Sequence, residues 1–384
     1  MNPLLTGVCA FALGNLATAG TEAKSDWLGL DEELNAIASN VNLQGGGVEL
    51  GALVRAAYIS ASGDDFGGLS AGEDQLGLVI DDVELWSQGN LGDYFWRVSV
   101  DFGGFNSTAS QSYSPYFIGN LLNTNSLVNT SKEDFLEDAF ARWNFSENFN
   151  LQVGHFSFPT TFSSSSNPDS LLLLSRSSVG EYFHTYSLGA MLSGDYDGTL
   201  QWHLAVLNGA DGTDDDQELR GRAVYNIGSG RNRTEGALGA NDELNAAIGV
   251  SYVDDGELDD GSVLTFDAIA TIAGFSIGGE YASFDDDHAT VGPGFGPTVG
   301  LNYTEGMDVI AFNLGYLLSE NWELGGRYEM LDDEDDSTLM SIGVNYYQMG
   351  HNAKWQLMYM DLASDVAAQE GSLIGLGLTV GSNG

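Results

Sequence analysis

The chain has 384 residues, of which 55 are Asp or Glu and 12 are Lys or Arg, for a formal charge of −43. That balance excludes a nucleic-acid binder, because phosphate contacts are built from Lys and Arg on a basic surface. With 43% hydrophobic and 11% aromatic residues the chain is too apolar for a disordered acidic segment, and it holds no run of about 18 apolar residues for a helical membrane span.

From the start of the chain, Leu4 to Leu16 is an apolar stretch that closes on Ala17-Thr18-Ala19, a small-x-small pattern. Residues 1–19 read as a secretion signal, although the basic residues that normally precede the apolar part are missing. A short buried segment is the competing reading. Cys9, the single cysteine, falls inside this stretch, so cleavage would leave a chain with no thiol and no disulfide. It would remove no charged residue. Residues 20–46 then form an N-terminal periplasmic segment, in which Leu30, Leu34 and Ile37 repeat at helical spacing opposite Asp31, Glu32 and Glu33. This spacing predicts a short amphipathic helix outside the main fold.

From residue 47 onward, apolar and polar residues alternate with a period of two, in segments of about ten residues. Between Asp93 and Gly103, for example, Tyr94, Trp96, Val98, Val100 and Phe102 fall on one face. Phe95, Arg97, Ser99 and Asp101 fall on the other. About sixteen such segments follow one another to residue 381. The connections sort into two kinds. Tight ones such as Asp197-Gly198, Ala273-Gly274 and Ser319-Glu320 alternate with long polar ones such as 61–74, 104–133, 157–185 and 285–305. The stretch 228–242 breaks the rhythm, being long where a tight turn is due.

A strict short/long alternation predicts an all-β fold, a transmembrane antiparallel β-barrel of about 16 strands over residues 47–384. Its short turns would be periplasmic and its long loops extracellular. A soluble sandwich has no reason to sort its loops by length. Trp86, Tyr94, Trp96, Trp143, Phe145, Phe149, Tyr196, Trp202, Tyr316, Trp322, Tyr346 and Trp355 all lie near short turns, as a girdle at one membrane interface would require.

Three stretches carry a resemblance to a known family. They are Leu76 to Gly104, Leu136-Glu137-Asp138-Ala139-Phe140 through Val153-Gly154-His155-Phe156-Ser157-Phe158-Pro159, and Tyr186-Ser187-Leu188-Gly189-Ala190 through Asn208-Gly209. In these the chain resembles the phosphate-selective porin O and P family. The resemblance covers roughly the first half of the barrel and implies a sixteen-stranded, homotrimeric outer-membrane channel of a Gram-negative-type bacterium. It also implies that loop 157–185 folds inward, packs Leu171 to Leu174 on the inner wall and narrows the lumen. Packing of that loop on a neighbouring subunit is the alternative.

The departures concern selectivity. The family's anion-selective members line their channels with Arg and Lys, whereas here Asp81-Asp82-Val83-Glu84-Leu85 stands in the corresponding strand, and the only lysines are Lys24, Lys132 and Lys354. Phosphate selectivity is therefore not expected. The sequence also ends on Gly384 and not on the aromatic residue usual for such barrels, which reads either against an ordinary insertion route or as a divergent lineage.

Alternation places Asp82, Glu84, Arg97, Asp101, Asp138, Arg142, Glu323, Arg327 and Glu329 on the lumen side, and the loop adds Arg176 as a further pore-lining candidate. Arg97 with Asp101 and Arg142 with Asp138 lie four apart on one face. Opposed charges across a pore set up a transverse field, though each pair could equally just neutralise itself. Acidic clusters on the long-loop side, among them Asp211, Asp214, Asp215 and Asp216, are weak Ca²⁺ candidates without EF-hand spacing. They read better as a solvated acidic mouth that concentrates cations. No cofactor is expected.

The five histidines show no metal-binding motif, and the chain has no Gly-x-Ser-x-Gly elbow and no P-loop, so it does not read as an enzyme. The expectation is a porin in outer-membrane lipid that passes small hydrophilic solutes and ions, neutral to cation-preferring. An exported acidic β-protein with a structural or adhesive surface role is the alternative.

Overall fold

The computed structural model describes residues 47–63, 75–102, 136–208, 217–230, 234–254, 261–285, 306–332, 336–363, 370–382 and 384. The segments read above as a secretion signal and an N-terminal helix, and Asp211, Asp214, Asp215 and Asp216, lie outside them.

Sixteen antiparallel strands close into one barrel in which each strand pairs with its neighbours in sequence and β1 pairs with β16. They are β1 (Val48–Gly63), β2 (Gln75–Leu91), β3 (Tyr94–Asp101), β4 (Leu136–Asn144), β5 (Phe149–Ser157), β6 (Tyr186–Tyr196), β7 (Leu200–Leu207) and β8 (Glu218–Ile227). The second half comprises β9 (Asn245–Asp254), β10 (Ser262–Ile272), β11 (Phe275–Phe284), β12 (Asp308–Ser319), β13 (Trp322–Leu331), β14 (Thr338–Tyr347), β15 (Ala353–Ala363) and β16 (Gly371–Gly381). Closure leaves no strand edge unpaired, which a sheet in hydrocarbon requires because lipid offers its backbone no hydrogen bonds. No described helix is long and apolar enough to cross a membrane; strands do the crossing.

The two faces of each strand are inverted relative to a water-soluble protein. On β10, Leu264 and Phe266 are 39% and 48% exposed on the outside, whereas Thr265 and Asp267 point inward and are buried. The outer residues face lipid, and the inner ones face a lumen that is itself filled.

Tight turns on one rim follow from backbone chemistry. Ile272 pairs directly with Phe275, so Ala273 (φ 50°) and Gly274 (φ 79°) close a two-residue hairpin with both residues left-handed. That conformation matches the right-handed twist of the strands, and glycine takes it without steric cost.

The same rim carries the aromatic band as a chain of ring contacts. Tyr94 stacks on Trp143, Trp143 meets Phe145, and Phe145 stacks on Phe149, which touches both Tyr196 and Trp202. Phe275–Tyr316 and Trp322–Tyr346 continue it around the barrel. Trp86 does not belong to this band. Its indole nitrogen donates to the Ser382 carbonyl at 2.7 Å, and the Arg97 guanidinium lies 5.4 Å from its ring, so it faces inward. Its place in the strand explains this: Trp86 lies on the same face as Asp82 and Glu84.

Candidate functional site

Two segments enter the barrel from opposite rims. The connection between β5 and β6 carries two short helices, α1 (Phe162–Ser165) and α2 (Ser178–Tyr182), with a 3₁₀ turn at Pro168–Ser170 between them. Thr161 caps α1 through a reciprocal capping box with Ser164, and the Ser177 side chain caps α2 by accepting from the Gly180 N–H. Hydroxyls close at hand thus satisfy backbone donors that water would otherwise serve.

Leu171, Leu172, Leu173 and Leu174 are all at most 5% exposed, and Leu172 to Leu174 join Val179, Phe183 and inward residues of β9 to β16 in one apolar cluster. The inner wall has a recess for each of three leucines. A Cβ added at Gly377 would lie 2.3 Å from Leu174 Cδ2, one at Gly343 would lie 2.7 Å from Leu173 Cδ2, and one at Gly325 would lie 3.0 Å from Leu172 Cδ1. Burying each leucine stabilises the inserted segment by about 1.5–3 kcal/mol.

The wall also holds the loop backbone. Arg55 Nη2 donates to the Leu174 carbonyl at 2.8 Å, Lys354 Nζ to the Leu171 carbonyl at 2.7 Å, and Asn345 to the Leu172 carbonyl at 2.8 Å. Glu280 accepts from the Ser163 N–H and the Ser177 hydroxyl, and Glu329 accepts from the Ser178 N–H at 2.6 Å.

The second segment is the long connection between β8 and β9, on the rim of tight turns. Glu235 within it accepts from the Ser163 hydroxyl at 2.6 Å, the Leu172 N–H at 3.1 Å and Arg327 at 3.1 Å. The Ala237 N–H donates to Glu323, which also accepts from Tyr347. This connection is long because it reaches up into the barrel and meets the first segment there.

These contacts assign the candidate residues unevenly. Glu323, Arg327 and Glu329 point inward, but they are at most 3% exposed and end on the inserted segments, so they anchor those segments and do not line an open passage. Arg176, also buried, donates to the Ser166 carbonyl at 2.7 Å within its own loop.

On the other wall Arg97 bridges strands, reaching Glu84 of β2 at 3.1 Å and Asp138 of β4 at 2.8 Å. Asp101 accepts from the Val83 N–H. Arg142 donates twice to Gln152 and stands over the rings of Phe95 and Phe140. The ion pairs of Arg97 therefore run across strands, whose side chains lie closer than residues four apart along one extended chain.

Between β1–β4 and the first inserted segment lies a cavity of about 70 Å³. It is lined by the carboxylates of Asp81, Asp82, Asp101, Glu137 and Glu181 and by the guanidinium groups of Arg55 and Arg176. Two bulges assemble it. The register of β1 and β2 slips between Arg55 and Ala56, so both Asp81 and Asp82 reach Arg55 Nη1, at 2.9 and 2.7 Å. The register of β3 and β4 slips between Val98 and Val100, which brings both Glu137 and Asp138 to Ser99.

Simple alternation sends one of two consecutive residues to the lipid, and for that reason Asp81 and Glu137 are missed in the sequence. Arg55 and Lys354 could have been found, since both occupy inward positions of regular strands. Glu181 and Glu235 sit on irregular backbone, where no periodicity signals them. Among the described residues no group of three or more His, Cys, Asp or Glu is arranged to hold a metal ion.

The family model of the phosphate-selective porins O and P matches residues 47–241. The chain belongs to that family. No curated protein matches it. Its fold is similar to a loop L8 deletion mutant of OmpT, an outer membrane protein of Vibrio cholerae, with TM-score 0.56 and 11% identity over 88% of this chain and 100% of that one. It is also similar to the outer membrane channel DcaP of Acinetobacter baumannii, with TM-score 0.54 and 15% identity over 88% and 97%. Salmonella typhi OmpF, in complex with daunomycin, gives TM-score 0.56 and 10% identity over 88% and 98%. At such identities the likeness concerns fold alone.

This porin is an outer-membrane channel.

Proposed function

We propose that this porin passes small hydrophilic solutes and ions by diffusion with a preference for cations, and that it assembles as a homotrimer in outer-membrane lipid. One observation carries the selectivity: five carboxylates line the cavity beside the inserted segment against two guanidinium groups. A low-dielectric wall focuses that excess, raising the local cation concentration and disfavouring anions.

Most of the other described cations are neutralised within the barrel. Each described Lys or Arg lies inside the barrel, and Arg97, Arg220, Arg222 and Arg327 are paired with Glu84 and Asp138, Glu218, Asp267 and Glu235. Lys354 is wholly buried on the Leu171 carbonyl. This arrangement argues against the anion for which the family is named.

The test is the reversal potential of single channels in a KCl gradient. A potential of the sign that K⁺ permeation produces is expected; the opposite sign would overturn the cation preference, and no conductance would overturn the diffusion reading. Migration as a heat-modifiable oligomer in detergent tests the trimer.

A further inference from the structure

We infer that the cavity between β1–β4 and the inserted segment is a binding subsite for a small zwitterion, a solute with a carboxylate and an ammonium group a few bonds apart, such as a free amino acid. The inference rests on the diffusion reading and adds to it the class of solute the passage favours.

The carboxylate end is argued from Arg176. This side chain is buried and lines the cavity, yet its Nε–H has no hydrogen-bond partner among the described residues. Its Nη2 is occupied by the Ser166 carbonyl at 2.7 Å and lies 3.3 Å from His184 Nε2. The hydroxyl of the adjacent Ser175, another lining residue, is likewise unpartnered among the described residues. A buried guanidinium N–H without an acceptor is unfavourable, and a carboxylate oxygen is the acceptor that suits it best.

The ammonium end is argued from the wall opposite. Asp81 and Asp82 both depend on the single Nη1 of Arg55, whose Nη2 is taken by the Leu174 carbonyl. Carboxylates each offer about four acceptor positions, so this pair keeps acceptor capacity for an ammonium group.

Arg176 and Ser175 thus offer donors from the inserted segment, while carboxylates face them from the barrel wall and from Glu181 of the same segment. A simple cation would leave the Arg176 Nε–H unserved, and a simple anion would face the carboxylates uncompensated. A dipolar solute of matching size meets both, and it would bind weakly enough to leave again, as conduction demands.

Alanine and lactamide have nearly the same size and differ in carrying separated charges or none, so their entry into proteoliposomes tests the subsite. Rates in protein-free liposomes are subtracted. Alanine entry should saturate with concentration while lactamide entry rises linearly. Glycine should inhibit alanine entry with an inhibition constant roughly threefold or more below those of acetate and ethylammonium, the ratio expected of a site about 0.7 kcal/mol more favourable to the zwitterion. Arg176→Gln and Glu181→Gln, each checked for retained lactamide entry, should make alanine entry linear.

Linear alanine entry in the unaltered protein, or equal inhibition by acetate, would overturn the subsite while leaving the channel intact. Saturation that survives both substitutions would overturn it too, and the wild-type comparison decides even where a variant does not fold. Failure of both solutes to enter would remove the diffusion reading itself, and the subsite with it.

Discussion

The Arg327 guanidinium on β13 meets the Glu235 carboxylate of the β8–β9 connection at 3.1 Å, with both side chains 1% exposed. Arg327 also donates to Asn313 at 2.7 Å and to the Ser175 carbonyl at 2.9 Å, so one side chain ties the wall to both inserted segments. Removing one partner of such a buried pair costs about 3–5 kcal/mol, because the charge that remains has no counter-charge. Arg327→Met alone, or Glu235→Gln alone, should therefore loosen the insertion and raise single-channel conductance and open-channel noise. The double variant should be less disturbed than the sum of the two, and a double-mutant cycle on thermal stability measures that coupling.

The recess at Gly377 gives a steric prediction. Gly377→Val places a side chain where Leu174 sits, and overpacking of this kind typically costs about 1–3 kcal/mol. The inserted segment should shift from the wall, seen as altered conductance. Leu174→Ala combined with Gly377→Val should restore the original value, at least in part.

Cation preference should depend on the bulge carboxylates. Asp81→Asn with Asp82→Asn removes two negative charges but leaves Arg55 in place. The K⁺/Cl⁻ permeability ratio should fall by about two- to threefold as the focused potential weakens. Reversal potentials before and after the substitution check this; an unchanged ratio would place the selectivity elsewhere.

Acid should act in the same direction. Burial holds the Glu181 carboxyl above its ordinary value and Asp82 of β2 adds to the rise, while Arg176 of its own segment, Arg55 of β1 and Arg327 of β13 oppose it. Its folded value being raised, Glu181 takes up a proton while pH is still above the ordinary glutamate value of about 4.3. Cation preference should accordingly begin to decline above that pH on acidification. In Glu181→Gln the decline should start lower, and reversal potentials across a pH series measure the difference.

The aromatic band predicts a dependence on lipid contact. Trp322 packs on Tyr346 with ring centres 4.8 Å apart at the tight-turn rim, and such pairs contribute about 0.5–1.5 kcal/mol beyond the area they bury. Trp322→Ala should lower the temperature at which the barrel unfolds in detergent without changing conductance.

Much of the barrel is legible in the sequence because its rule is local. A strand in hydrocarbon must put apolar residues outward at every second position, so ten-residue alternations such as Trp322 to Leu331 and turns such as Ala273-Gly274 can be read one at a time. The aromatics near those turns mark one rim for the same reason. The exception, Trp86, obeys the alternation of its own strand and breaks only the inference from its distance to a turn. Leu171 to Leu174 likewise announce a loop that must leave water.

What the sequence determined by itself was thus the sixteen strands, the two kinds of rim and the acidic balance, since each depends on spacing along the chain. The tertiary structure decided what fills the lumen and where the excess charge lies. Glu323, Arg327 and Glu329 face inward as their spacing requires, yet become anchors because segments from both rims close over them. Asp81 and Glu137 join the cavity because two bulges turn consecutive carboxylates to the same side. A bulge is a mismatch between two strands and belongs to neither alone, so only the paired sheet could reveal it.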